Sequence, residues 1–151
     1  MAAVITFAKR LSALAVLAGT SAQAFAQSIS CPSGSPLVAA DITTLLSGKT
    51  VCATSGGDRW QEYHKTGGAL IDWKKGSSDA VDPTKQVGTW VASTTGGGSG
   101  QITYTYTDGG TSTYSFAVCA ASNASTFGTF VPLQAGGNIT FTLMSGQSAC
   151  P

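Results

Sequence analysis

Three side chains that could do chemistry stand at alternate positions of one short segment: Trp60, Glu62 and His64. Side chains two residues apart lie on the same face of a β-strand, so a strand here would place a carboxylate, an imidazole and an indole side by side. On an interior face, Glu62 and His64 could orient a ligand in a mostly aromatic pocket or support proton transfer. On an outer face they would belong to an ordinary solvated strand surface.

Further aromatic residues extend this candidate site. The predicted ligand-binding set is Trp60, Glu62, His64, Trp73, Tyr104 and Tyr106. Packing in the core is the alternative role for the tryptophans and tyrosines. The chain has no G-x-S-x-G segment, and its serines therefore offer no recognisable nucleophile. We expect no catalytic residue, no metal ligand and no cofactor, and the acid-base possibility is limited to Glu62 and His64.

The composition excludes several classes of protein. The chain has 151 residues, of which 10% are charged, and its formal net charge is +1. So small a net charge and so few charged residues indicate neither a basic surface for nucleic acid nor an acidic tail. The length is typical of one small domain.

The first 26 residues have the three parts of a signal peptide. Lys9-Arg10 precede an apolar run from Leu11 to Gly19, and Ala24-Phe25-Ala26 follow as a cleavage site. The run is far shorter than the roughly 20 residues that span a bilayer. We therefore expect cleavage after Ala26 and a secreted or periplasmic protein with no membrane span in its mature form.

All four cysteines, Cys31, Cys52, Cys119 and Cys150, lie beyond this segment. An even number of cysteines in an exported chain predicts two disulfides. Zinc binding is the competing interpretation, but the spacing includes no close C-x-x-C pair. Three pairings remain open.

The rest of the chain reads as short strands between glycine-rich turns. A short helical turn is expected from Asp41 to Leu46, with Asp41 as its N-terminal cap. Apolar and hydroxyl side chains alternate most clearly around Tyr104 and Phe116, whereas the fourth strand has Val87 and Val91 on one face and Trp90 on the other. The eight predicted strands are Lys49–Thr54, Asp58–Lys65, Ala69–Lys74, Gln86–Ser93, Gln101–Thr107, Thr111–Ala120, Thr126–Leu133 and Asn138–Ser145.

Eight antiparallel strands joined by short hairpins favour an all-β, up-and-down barrel, with a β-sandwich as the alternative. The expected organisation is a signal peptide at 1–26, an N-terminal segment at 27–47 and a single barrel domain at 48–151. In such a meander all four cysteines can reach one end. We expect both disulfides and the N-terminal segment to close that end, with the loops at the opposite end available for function.

Several motifs resemble the small secreted calycin-like barrels, whose architecture is that of lipocalins and avidins. These motifs are the segment 45–51 before the first strand, Trp60-x-Glu62-Tyr63-His64 followed by Gly67-Gly68, and Gly88-Thr89-Trp90. The resemblance covers about residues 48 to 145. Lipocalins carry G-x-W in their first strand, whereas here it lies in the fourth. The chain is also similar to exported bacterial domains of unknown function. The resemblance implies binding of a small molecule inside a barrel.

Three functions remain open at this stage. The first is non-enzymatic binding of a small, partly apolar ligand. The second is a secreted protein-interaction module, such as an inhibitor or a surface or assembly component, with an unknown protein partner. An enzyme that uses Glu62 and His64 is the third. We expect neither nucleic acid nor membrane as a partner.

Overall fold

The computed structural model describes residues 29–55, 57–72, 85–121 and 125–151. The signal peptide predicted at 1–26 lies outside these residues. The described residues form β1 (Ser35–Pro36), α1 (Ala39–Leu46), β2 (Lys49–Ser55), β3 (Asp58–His64), β4 (Ala69–Asp72), β5 (Lys85–Thr94), β6 (Gly100–Tyr106), β7 (Ser112–Ala120), β8 (Phe127–Pro132) and β9 (Ile139–Ser145). The described ends of β2 to β9 lie within two residues of the predicted strands, and residues 73–74 of the predicted third strand lie outside the described residues.

The eight strands β2 to β9 close into an antiparallel up-and-down barrel. Each strand pairs with the next along the chain, and β9 pairs with β2 to complete the circle. This confirms the predicted all-β barrel, and the β-sandwich alternative is wrong. Closure satisfies the backbone hydrogen bonds that two edge strands would otherwise expose. The two-residue strand β1 pairs with the end of β7 at Cys119 and Ala120.

Alternate residues of the strands point into the barrel, and most of these interior side chains are apolar. Phe130 stacks on Phe141 with ring centroids 4.3 Å apart, and Phe116 contacts Phe130 at 5.5 Å. An interior of eight strands is just wide enough for side chains to fill. Most of the buried apolar side chains among the described residues belong to one continuous cluster, which also includes residues of α1.

The interior face of β5 differs from the simple alternation in the sequence. Trp90 is buried, whereas Val91 faces outward and is 57% exposed. Val87 is nevertheless buried, because Leu70 pairs with Gly88 and Ile71 with Gln86, which leaves Val87 as the extra residue of a β-bulge. The bulge brings both Val87 and Trp90 to the inside.

Helix α1 closes one end of the barrel, which we call the helix end. Its residues Ile42, Leu45 and Leu46 are buried, and the helix contacts β5, β6 and β2. The preceding chain approaches closely enough for Gly100 N–H to donate to the Leu37 carbonyl at 2.9 Å. A Cβ at Gly100 would lie 2.5 Å from that oxygen, so glycine is required there.

The start of α1 corrects one prediction. The helix begins at Ala39 with Val38 as its N-cap, and Asp41 lies inside the first turn. There the negative Asp41 carboxylate interacts favourably with the positive end of the helix dipole, but Asp41 is not the N-cap residue of the helix. No helix in the described part of the chain is long and apolar enough to cross a membrane.

The two disulfides join Cys31 to Cys119 and Cys52 to Cys150. The first connects the N-terminal segment to the end of β7, at the helix end as expected. The second does not close that end. Cys52 lies halfway along β2, and the residues after β9 fold back over the outer wall, where Cys150 N–H donates to Gln61 Oε1 at 2.8 Å.

Each disulfide should contribute separately to stability, since each links parts of the chain far apart in sequence. The separations are 88 and 98 residues. Replacing Cys31 and Cys119 by Ser, or Cys52 and Cys150 by Ser, is expected to lower the free energy of unfolding by about 2 to 4 kcal/mol per pair. Urea denaturation measures this change. An unchanged unfolding curve for either double variant would contradict the structural role of that disulfide.

Candidate functional site

The barrel register places Trp60, Glu62 and His64 on the interior face of β3. They lie opposite Ala53, Val51 and Lys49 of β2. Glu62 is 9% exposed and His64 is fully buried. The prediction that these three side chains share one face is confirmed, and the alternative in which that face is solvated is wrong.

His64 is held by hydrogen bonds at both ring nitrogens. Its Nδ1 lies 3.0 Å from the Glu62 backbone carbonyl, and its Nε2 lies 2.8 Å from the Tyr104 hydroxyl. A carbonyl only accepts, so a neutral His64 carries its proton on Nδ1 and its Nε2 accepts from Tyr104. Burial lowers the His64 pKa to about 4, although the Glu62 carbonyl opposes this shift. The ring is therefore neutral at neutral pH.

The motif Gly88-Thr89-Trp90 supports this buried histidine. The Trp90 ring lies 5.3 Å from His64, and its Nε1 donates to the Lys65 carbonyl at 3.2 Å. Gly88 is required because a Cβ there would lie 2.2 Å from the Thr105 carbonyl oxygen. The glycine lets β5 and β6 approach, and the tryptophan packs against the imidazole.

The Glu62 carboxyl and the His64 ring have different hydrogen-bond partners. The Tyr106 hydroxyl donates to Glu62 Oε1 at 2.7 Å. Burial raises the Glu62 pKa to about 7; the Tyr106 hydrogen bond opposes this shift, and the nearby Asp72 carboxylate adds to it. Glu62 and Asp72 are direct partners in the β3–β4 register. Two carboxyls therefore face each other across neighbouring interior positions.

A pocket of about 450 Å³ opens above Glu62, at the end of the barrel opposite α1. We call this end the far end, and it carries the β2–β3, β6–β7 and β8–β9 connections. The described residues that line the pocket include four aromatic residues, three carboxyl-bearing residues, a valine, a serine and an arginine: Arg59, Trp60, Glu62, Asp72, Val87, Tyr106, Asp108, Ser112, Tyr114 and Phe116.

Two basic side chains in the described part of the pocket surroundings have partners. Lys85 Nζ lies 2.7 Å from Asp108 Oδ2 at the exposed rim. Arg59 lies on the outer face of β3 by alternation, and its guanidinium donates to the carbonyl oxygen of Pro151. Neither cation is therefore directed at the Glu62 carboxyl.

The predicted site residues separate into two layers. Trp60, Glu62 and Tyr106 line the pocket, whereas His64 and Tyr104 are buried beneath it. Trp73 lies outside the described residues. Asp72, Tyr114 and Phe116 also line the pocket and were not predicted as site residues. Alternation already placed Tyr114 and Phe116 on an apolar face, but only the folded barrel shows that they line the same pocket as Glu62.

The geometry does not bring the Glu62 carboxyl and the His64 ring together as an acid-base pair. Both nitrogens of His64 are occupied, and the ring is inaccessible from the pocket. Within the described ranges, no group of three or more His, Cys, Asp or Glu residues is arranged to hold a metal ion. The polar group presented to the pocket from its buried side is the Glu62 carboxyl with its Tyr106 partner.

Comparisons of the chain with protein-family models, with curated proteins and with solved structures find no match.

The depressed pKa of His64 predicts a loss of stability in acid. The unfolded chain binds a proton near pH 6.5 and the folded protein only near pH 4, so this contribution is present above 6.5 and is lost as the pH falls through 4. The loss should amount to about 3 kcal/mol. His64→Gln keeps an acceptor for Tyr104 but does not titrate.

Urea denaturation of the parent and of His64→Gln between pH 4 and 7 tests this prediction. Glu62 contributes an opposite pH dependence of stability to both proteins. This contribution cancels when the free energy of unfolding of one protein is subtracted from that of the other. The parent should lose stability relative to the variant as the pH falls. Parallel curves would show that His64 does not control the acid response.

Proposed function

We propose that this protein is an exported, calycin-like barrel that binds a small, partly apolar ligand in the far-end pocket without transforming it. The observation that carries the proposal is the buried Glu62 carboxyl at the inner side of an aromatic pocket. Burial of a carboxyl in a protein interior costs free energy unless hydrogen bonds compensate for the lost hydration. A buried carboxyl that borders a cleft is therefore a candidate functional group. Here the carboxyl borders a cavity.

The size and lining of the pocket support a small-molecule ligand. A volume of about 450 Å³ lies within the roughly 300 to 1,000 Å³ of typical ligand pockets. Trp60, Tyr106, Tyr114 and Phe116 supply apolar walls, and Glu62 supplies a polar group that can fix orientation. The mouth of a β-barrel is also a common position for such sites.

The closed barrel supports the proposed likeness to calycins, because its eight strands follow one another in an up-and-down order. The two disulfides support export, since such bonds persist in oxidising compartments. Residues 1–26 are proposed as the signal peptide that directs it. Helix α1 covers the helix end with Ile42, Leu45 and Leu46 buried. A second cavity of about 810 Å³ lies beside β1 and α1, but the far-end pocket borders the buried Glu62 carboxyl and is therefore the proposed site.

Two tryptophan substitutions test where a ligand binds. Ser112 lies opposite Tyr106 and lines the pocket, so Ser112→Trp should fill it. The neighbouring Thr113 is exposed on the outer face of β7, and Thr113→Trp is the matched control. Native mass spectrometry of each protein, isolated from its own host, is compared with the same sample after denaturation.

The expected result is a bound small molecule in the parent and in Thr113→Trp, with about tenfold less in Ser112→Trp. Denaturation should remove it in each case. A parent protein that carries no bound molecule would overturn the proposal. Equal occupancy in Ser112→Trp would do so too, because it would place the ligand elsewhere.

A further inference from the structure

The pocket has the chemistry of a site for an organic cation, an inference that rests on the proposed function. We infer that its ligand carries a protonated amine on an aromatic or aliphatic body, with the Glu62 carboxylate as the partner of the ammonium group.

The polar groups around Glu62 are arranged to accept hydrogen bonds. The Tyr106 hydroxyl donates its hydrogen bond to Glu62 Oε1. The remaining lone pairs of the tyrosine oxygen and of the carboxyl can therefore accept hydrogen bonds from a ligand. Asp72 adds a second carboxyl directly opposite Glu62 in the register. An ammonium group has three donors and no acceptor, so its needs match this set of acceptors.

Charge points in the same direction. The described residues that line the pocket include three carboxyls and one guanidinium. The guanidinium of Arg59 is engaged by Pro151 on the outer side of the barrel, and Lys85 is engaged by Asp108 at the rim. Like charges on directly opposed strand positions are unfavourable. The Asp72 carboxylate adds to the negative potential at Glu62, which would favour a ligand cation beside Glu62 and disfavour a ligand anion.

The walls of the pocket suit both parts of such a ligand. Tyr106 and Tyr114 meet edge to face with centroids 5.9 Å apart, and Trp60 and Phe116 line the same cavity. Aromatic faces attract cations within about 6 Å and also bury apolar groups. The body of the ligand would contact these rings while its charged nitrogen reaches Glu62.

Binding of a cation should release a proton from the protein. The free carboxyl is partly protonated at neutral pH, since burial raises its pKa to about 7. The titratable groups that interact with Glu62 include Asp72 from β4 and Tyr104 and Tyr106 from β6. Arg59, Asp108 and Tyr114 line the same pocket. Between pH 6 and 8 His64 stays neutral, and burial keeps both tyrosines protonated. Affinity for an amine should therefore rise with pH over this window.

Three probes that share one ring test the inference by isothermal titration calorimetry. 2-Phenylethylamine is the cation, 2-phenylethanol the neutral analogue and 3-phenylpropanoate the anion. At pH 8 the amine should bind the parent at least about tenfold more tightly than the alcohol. The anion should bind most weakly.

Glu62→Gln removes the charge but keeps the shape and an acceptor for Tyr106. It should weaken amine binding about tenfold and change alcohol binding less than about twofold. Asp41→Asn, on the exposed surface of α1, is the matched control and should leave both unchanged. Asp72→Asn is a second pocket variant and should also weaken binding of the amine selectively.

Equal affinities for the amine and the alcohol, or amine binding that survives both Glu62→Gln and Asp72→Asn, would overturn the inference. So would the failure of the amine to bind the parent. None of these results decides the proposed function, which depends on the molecule retained by Thr113→Trp and lost from Ser112→Trp.

Discussion

The pairing of β9 with β2 is the interaction on which the rest of the structure depends. It joins the last strand of the barrel to the first strand of the barrel. The pairs run from Lys49 opposite Ser145 to Ala53 opposite Phe141, and they turn a sheet with two edges into a closed wall. The same register sets Leu143 against Val51, and Val51 lies opposite Glu62 on β3. Closure therefore determines that Glu62 and His64 face the interior, where each must find a partner.

The interior satisfies these two polar side chains in different ways. His64 becomes a neutral part of the core, held between a backbone carbonyl and Tyr104. Glu62 lies one layer nearer the pocket and receives a hydrogen bond from Tyr106. Its raised pKa means that its contribution to stability is present below pH 4.5 and is lost as the pH rises through about 7. The folded protein thus retains a carboxyl whose burial lowers the free energy of unfolding at neutral pH, as expected if the group serves the proposed binding.

Much of the fold could be predicted because strand periodicity and glycine-rich turns are local signals. They located all eight barrel strands, and the short connections favoured a meander. The disulfide pairing could not be predicted, since it depends on the C-terminal residues folding back over β2 to bring Cys150 to Cys52. The start of α1 was also missed, because Val38 caps it without a side-chain hydrogen bond.

The site was predictable only in part for a related reason. Periodicity shows which residues of β3 share a face, but both faces of this strand are covered. Gln61 on the outer side is buried under the C-terminal segment, and Glu62 is buried inside the barrel. Long-range register decides which face meets the pocket and which aromatic residues join it. The bulge that turns Val87 inward is likewise a property of two paired strands rather than of one.

Glu62 is the only glutamate in the chain, so labelling glutamate with ¹³C at its side-chain carboxyl gives a single resonance to follow by NMR. A pH titration of that resonance measures the ionisation on which the proposed binding chemistry depends. We predict a midpoint at about pH 7, and a shift to lower pH when 2-phenylethylamine is added. A midpoint near the ordinary value of 4.5 in the free protein would contradict it.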